Sequence, residues 1–293
     1  MGTNSPNETK YLYKILPNGQ TVSTSIYAEF ETKSFDSGAF RYCYRGKIKD
    51  RDKDEITTDD FPSGEYVVKV YKDHLYTQDY YIDFITSQYA HEQALLFNKI
   101  IGIPNKLNFV LPYAGSVHLL ACFKLFGLFK ISTNKDSKKF LSPNMKVAIE
   151  PYLRGNYIKF SSNSGYENPA FDATIPAFSH FTWIYSRGTK VVLDVQGVFK
   201  NSKYYLTDPA CQSLEQKFGN SDLGAMGLCK FILCHKHNDY CKNWKWVPKS
   251  FDGLLKNYNA SSIKRTSFSF ENRKNIEKYK PIYYYLLKSI NFD

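Results

Sequence analysis

What most limits the folds open to this chain is a change of period along it. Strand-like alternation runs through Ala39-Phe40-Arg41-Tyr42-Cys43-Tyr44 and Tyr66-Val67-Val68-Lys69-Val70-Tyr71, both rich in strand-favouring residues. From about Gln78 to Ile100 the pattern turns helical, with Tyr81, Ile85 and Tyr89 four apart and Glu92-Gln93-Ala94-Leu95-Leu96 following. Strand-like segments recur at 107–112, 117–131, 146–153, 179–185 and 190–195, and helical ones at about Leu223 to His235 and near 274–290. Charged or turn-rich stretches separate them: Lys47 to Ser63, Asn134 to Lys139, and the Ser/Asn/Gly/Pro-rich loop from Ser161 to Pro176. No internal repeat is present. The pattern predicts an α+β chain, β-rich with one long helix over 21–150 and mixed over 151–250. A mobile tail over 1–20 and an extension over 251–293 flank it.

At 293 residues the chain is long enough for one large domain or two smaller ones. Its 43% hydrophobic and 17% aromatic content excludes a disordered chain. Lys and Arg outnumber Asp and Glu by 39 to 28, a surplus of +11 that suits a nucleic acid, a membrane or a small anionic ligand without choosing among them. The amino terminus, MGTNSPNETK, has no apolar core of a signal peptide, and Pro6 stands where myristoylation needs Ser or Thr. Leu119 to Ile131 is too short to span a bilayer and carries Lys124 and Lys130, so it reads as a buried strand or hairpin. The expectation is a soluble, cytoplasmic protein with no membrane partner. Six Cys are too few for a disulfide framework. Cys229, Cys234 and Cys241 interleave with His235 and His237, while Cys43, Cys122 and Cys211 read as small buried hydrophobes.

The common catalytic patterns fail in turn. Gly219 and Gly224 have P-loop spacing, but Ala225 and Met226 follow where Lys and Ser/Thr are required. There is no His-Arg-Asp loop, no Asp-Phe-Gly and no Gly-x-Ser-x-Gly elbow. Parts of phosphoryl-transfer chemistry are nevertheless present: Lys69 on a candidate strand, and Asp194, Gln196 and Asp208 at or just after strand ends, with a glycine-bearing turn beyond. Taken singly, each reads better as a solvated surface group.

In combination the blocks resemble the atypical alpha-kinases, the family of myosin heavy-chain kinase, elongation-factor-2 kinase and the channel-kinases. From about Gly38 to Trp246 they run in family order: Gly38-Ala39-Phe40-Arg41; Val67-Val68-Lys69-Val70-Tyr71; Ile149-Glu150-Pro151-Tyr152-Leu153 with Gly155; Ala177-Phe178-Ser179-His180-Phe181-Thr182; Asp194-Val195-Gln196-Gly197-Val198; Leu206-Thr207-Asp208-Pro209; Phe218-Gly219; Asp222-Leu223-Gly224; and His235, His237, Asn238 and Cys241. The resemblance implies a two-lobed, atypical protein-kinase-like α+β fold whose mixed carboxy-terminal lobe is braced by zinc. It implies an ATP- and Mg²⁺-dependent protein serine/threonine kinase acting on a protein substrate.

Residue by residue, it implies that Lys69 holds the nucleotide phosphates with Arg41 beside it, and that Glu150 sits at the hinge and faces the adenine. Asp194 would orient or accept the acceptor-hydroxyl proton, and Gln196 and Asp208 would ligate Mg²⁺, oxygen donors suited to a hard cation. Lys159 and Asn163 match positions near phosphate or metal, Asp83 one coupled to nucleotide binding, and Gly219, Asp222 and Gly224 the glycine loop. Zinc would be held by His180, His235, His237 and Cys241, with His237 where the family has Cys; imidazole also binds zinc, and Cys234 is a nearby substitute. Ser221 stands at the central glycine of the loop, where a φ > 0 would strain any residue but Gly. The competing reading is a catalytically inactive nucleotide- or nucleic-acid-binding module on the same fold, drawn from the +11 surplus, the aromatics and Ser221. The absence of an RNP-type aromatic motif argues against a nucleic-acid partner.

Overall fold

The structure is a computed structural model. It describes residues 6–16, 18–38, 41–50, 64–72, 80–119, 122–125, 129–132, 141, 144–163, 165–244 and 279–288. The chain divides into two compact units, Met1–Phe84 with Val110–Tyr152, and Ile85–Phe109 with Leu153–Asp293.

In chain order the elements begin with strands β1 (Asn7–Thr9), β2 (Tyr13–Ile15), β3 (Thr21–Ser23), β4 (Ile26–Phe30), β5 (Asp36–Ser37), β6 (Arg41–Asp50) and β7 (Glu65–Tyr71). Helix α1 (Tyr80–Ile100) and strand β8 (Lys106–Phe109) follow, then β9 (Tyr113–Leu119), β10 (Cys122–Leu125), β11 (Phe129–Ser132) and β12 (Lys146–Pro151). In the first unit β4 pairs with β1 and β6, β6 with β7, β7 with β12, β12 with β9, and β9 returns to β1, all antiparallel. The pairing closes on itself, so these strands leave no open edge between them.

Register decides what this ring buries. Tyr44, Val68, Ile149 and Tyr113 are successive cross-strand partners and all are buried. Phe30 meets Tyr44 edge to face at 5.7 Å in the same core. One residue along, the rank Cys43, Lys69, Ala148, Ala114 lies on the opposite face. Strand β7 is buried on both faces from Tyr66 to Tyr71, which is why it reads as an almost continuous apolar run. Lys69 is the exception in that run and must find a partner.

The tail expected over 1–20 carries two strands within its described residues. Strand β1 closes the ring and β2 pairs onto β9 beside it, with Asn7, Thr9 and Leu12 essentially solvent-free and the Ala28 N–H donating to Thr9 Oγ1 at 2.8 Å. Strands this short carry no apolar period to read. Within the apolar run 119–131, β10 and β11 pair antiparallel with each other and with no other described strand. The expected charged loop at Asn134 to Lys139, and most of the loop ending at Ser63, lie outside the described residues.

The second unit adds β13 (Tyr157–Lys159), α2 (Thr174–Tyr185), β14 (Lys190–Leu193), β15 (Gln196–Lys200), β16 (Lys203–Thr207), β17 (Ala210–Ser213), α3 (Gly224–Cys234) and α4 (Lys280–Lys288). Strands β13, β15, β16 and β8 form one sheet, with β8 parallel to β16; β14 and β17 form a separate antiparallel pair. The expected strand at 179–185 is instead the middle of α2. Residues from Ala177 to Trp183 are all buried, so this helix has no polar face, and its aromatic and Thr content reads as a strand. Phe97 of α1 packs edge-on against Phe178 and Phe181 of α2 at 5.5 and 5.4 Å. Among the described residues no helix is long and apolar enough to cross a membrane.

The extension after Pro248 is not wholly a solvated tail. Helix α4 buries Ile282, Tyr283 and Leu286 in the core containing Trp183, Met226 and Cys229. The Tyr283 hydroxyl donates to the Gly188 carbonyl at 2.6 Å and accepts from Trp183 Nε1 at 2.7 Å. Lys264 to Ser267 lie outside the described residues. Tyr283→Phe, which strands both partners, is expected to destabilise the chain by about 1–3 kcal/mol, and Tyr283→Ala by about 3–5 kcal/mol. Equilibrium denaturation is the check, and unchanged midpoints in both variants would show that α4 is not docked.

Candidate active site

In the first unit, the buried lysine of β7 finds its partner on β12. Lys69 Nζ lies 2.6 Å from Glu150 Oε2, with the side chains 5% and 4% exposed. Lys69 stands opposite Ala148 and Glu150 opposite Val67, so the two are diagonal neighbours on one face. Glu150 is thereby committed to Lys69, an interaction the sequence reading did not assign to it. Arg41 stands opposite Tyr71, diagonal to Lys69. Its guanidinium lies 3.0 Å from Asp83 and over the Tyr71 ring at 5.6 Å.

In the second unit, topology gathers the acidic and amide residues. Leu193 at the end of β14 pairs with Ala210 at the start of β17, and Gln196 at the start of β15 pairs with Thr207 at the end of β16. Asp194 and Asp208 occupy the two intervening connections, both left-handed, at φ 55° and 50°. Such a backbone is uncommon outside Gly, and least so for Asp and Asn. Gln196 Nε2 donates to the Asp208 carbonyl at 3.3 Å, leaving Oε1 as the acceptor of the amide. Lys159 Nζ lies 2.7 Å from Asp194 Oδ1. Burial raises the Asp194 carboxyl, the Lys159 ammonium pulls it down, Asp208 pushes it up, and the Asn163 backbone N–H again lowers it. Gly197, at φ 149°, follows Gln196, and a Cβ there would collide with the Tyr205 carbonyl oxygen. The glycine of Asp194-x-Gln196-Gly197 is therefore a steric requirement.

The glycine loop is a 3-10 turn over Gly219–Ser221 leading into α3. Gly219 and Gly224 take φ of 72° and 59°, whereas Ser221 has no positive φ, so the expected strain at Ser221 does not arise. Asp222 is fully buried, and its carboxylate accepts from the Ser213 N–H and hydroxyl and from the Phe218 and Gly224 N–H groups. Burial raises this carboxyl and those donors offset it. Asp222 thus braces the loop from within. Asn163 is also engaged: its Nδ2 donates to the Ser221 carbonyl at 3.1 Å and its Oδ1 accepts from Gln212 Nε2 at 2.7 Å. Gln212, a polar residue in the fully buried strand β17, carries no sequence signal that would have singled it out.

A separate cluster lies between α2 and the end of α3. One donor atom each of His180, His235 and Cys241 lie within 4.8 Å of one another. Cys241 Sγ is 3.8 Å from His235 Nε2, while Glu167 Oε1 is 3.8 Å from His235 Nδ1. Burial, then the charges of His235 and His237, push the His180 imidazole down to about 2, so it is neutral, the form that binds metal. The His237 ring stacks on His180 at 5.2 Å. Cys234 packs on Gly165 instead, where an added Cβ would meet it. A buried set of imidazole and thiol donors with neutral His suits zinc.

The first unit thus holds a buried Lys–Glu pair in its β-ring, and the second, taken by itself, gathers Asp194, Gln196 and Asp208, oxygen donors of the kind that suit a hard cation. Residues 36–241 match the Alpha-kinase family, and the chain belongs to it. It is 36% identical over 128 residues to alpha-protein kinase vwkA of Dictyostelium discoideum, covering 43% of this chain and 20% of that protein. It is 29% identical over 224 residues to myosin heavy chain kinase B of the same organism, covering 76% and 26%. The chain thus spans about a quarter or less of these relatives. Its fold is similar to the crystal structure of the alpha-kinase domain of myosin-II heavy chain kinase A in complex with AMP-PNP, with a TM-score of 0.60 at 24% identity, covering 81% of this chain and 93% of that one.

Proposed function

We propose that this chain is an ATP- and Mg²⁺-dependent protein kinase that transfers the γ-phosphate to Ser or Thr of a protein substrate. The observation that carries the proposal is the meeting of Asp194, Gln196 and Asp208 at adjoining strand ends, with Asp194 and Asp208 both on left-handed backbone. In this reading Asp194 orients the acceptor hydroxyl and takes its proton, and Lys159 holds the Asp194 carboxylate in place. Lys69 and Arg41 supply the cations for the polyphosphate. Mg²⁺ on the Asp208 carboxylate and the Gln196 carbonyl would neutralise phosphate charge, and both are hard oxygen donors. Glu150 acts through Lys69, and Gly219, Asp222 and Gly224 shape the glycine loop.

Zinc on His180, His235 and Cys241, with His237 beside them, is a structural brace in this proposal. The AMP-PNP complex of the related kinase domain supports a nucleotide ligand. Cys43, Cys211, Cys229, Cys234 and Cys241 are free thiols, which a reducing setting permits. Ser221 gives no support to an inactive module, since its backbone is unstrained.

The test is transfer of radiolabel from γ-labelled ATP to Ser/Thr peptides, with and without Mg²⁺. Wild type is expected to transfer, and Asp194→Ala to lose about 10²–10⁴-fold while keeping its melting temperature. A folded Asp194→Ala chain with wild-type transfer would remove the role assigned to that carboxylate.

A further inference from the structure

We infer that Gln212 is a positioning residue that ties the glycine loop to Asp194 through Asn163. The inference rests on the kinase reading above and adds a residue to it. Gln212 has no solvent exposure, and both ends of its amide are used. Nε2 donates to Asn163 Oδ1 at 2.7 Å and to the Ser221 carbonyl at 2.9 Å, while Oε1 accepts from the Leu223 N–H at 2.5 Å. Asn163 returns a bond from Nδ2 to the same Ser221 carbonyl. A Cβ added at Gly227, in the first turn of α3, would run into the Gln212 amide, so the side chain is held on the helix side as well.

The far end of the network reaches the acid. The segment that carries Asn163 is bonded to the residue after Asp194: the Phe160 and Ser161 N–H groups donate to the Val195 carbonyl at 2.9 and 3.0 Å, and the Val195 N–H donates to Ser161 Oγ at 3.0 Å, while Lys159 approaches Asp194 Oδ1 from another direction. The path from loop to acid therefore consists of Ser221 and Leu223 backbone, the Gln212 amide, the Asn163 side chain, and the segment 160–163 bonded to Val195 beside Asp194. Each member is a directed bond in a buried setting, where loss of one donor strands its acceptor. The side chain of Asn163 is thereby used inside this network, and its contribution to the acid comes from its backbone. A glycine loop displaced from this geometry releases Asn163, and with it the segment that holds Val195 and so the backbone of Asp194.

Gln212→Glu and Gln212→Leu separate positioning from bulk structure. The first keeps shape and the acceptor for the Leu223 N–H but removes both donors; the second removes every bond and keeps apolar volume. Both are expected to lower kcat by about 10–100-fold with KM for ATP within about threefold, since the acid loses its positioning while the phosphate cations are untouched. Asn163→Ala combined with Gln212→Leu is expected to lose no more than the worse single variant, because the two act in series. Additive losses, or wild-type kcat in folded Gln212→Glu, overturn the inference.

Hydrogen–deuterium exchange reads the same coupling without turnover. Peptides covering 161–167 and 219–224 are expected to gain exchange together in Gln212→Leu, and unchanged exchange at 161–167 would overturn the link to Asn163. If wild type transfers no phosphate, the kinase reading fails, and the exchange result still decides the inference about Gln212.

Discussion

Lys69→Met is expected to cost the chain about 3–5 kcal/mol of stability together with its phosphoryl transfer, and Glu150→Met to do the same. The double variant is expected to recover most of the stability and none of the transfer. The two side chains are 5% and 4% exposed, with Nζ and Oε2 2.6 Å apart. Their strands are locked side by side in a closed ring. A single substitution leaves one charge in that setting without its partner, which is the origin of the large loss. Replacing both by apolar residues of similar volume removes the desolvation penalty along with the attraction, and such replacements are often neutral or stabilising. Transfer does not recover, because no cation remains on β7 for the phosphates. Equilibrium unfolding and labelled-ATP transfer on the four chains complete a double-mutant cycle. Additive stability losses would mean that the buried pair does not act as a unit.

How far the sequence discloses this arrangement depends on how each element is buried. Strands β6 and β7 and helix α1 are legible because alternation and four-residue spacing survive there. Helix α2 is not, because a helix buried on every side carries no amphipathic stripe, and Ser179-His180-Phe181-Thr182 looks extended. Strands β1 and β2 are too short to show a period, and β1, which is polar, is buried by closing the ring rather than by apolar side chains of its own. The β15–β16 hairpin did leave a signal: Asn201 and Ser202 both take positive φ, the two-residue turn that Lys200-Asn201-Ser202-Lys203 would suggest.

At the site, the identities of Lys69, Asp194, Gln196 and Asp208 are readable from the family blocks, but their partners are not. Glu150 is bonded to Lys69, Asp222 is turned inward on four donors, and Asn163 is tied to Gln212. Which group a polar residue satisfies depends on strand register and loop closure, and neither is written in a short block.

Loss of the metal from the second unit is the other large effect expected. Purified protein is expected to hold one zinc per chain, and His180→Ala and Cys241→Ser to lose it with a marked drop in melting temperature. His180 lies in the middle of a fully buried helix, whereas His235 caps α3 and Cys241 lies in the turn beyond. An ion shared by these residues would therefore link α2, α3 and the chain that follows. In zinc-finger peptides such an ion contributes about 10–16 kcal/mol; here two hydrophobic clusters share the task, so partial unfolding of the second unit is expected rather than collapse of the whole chain. The fourth position separates two candidates. The His237 ring is already stacked on His180, and His237→Ala is expected to weaken zinc binding by about 10–100-fold, on the scale seen when a supporting partner of a metal site is lost. Cys234 packs on Gly165, and Cys234→Ser is expected to retain zinc. Metal analysis and competition with a chromophoric chelator decide the matter without any kinase assay. Wild-type protein that melts normally with no stoichiometric zinc would reduce the cluster to packed, neutral imidazoles.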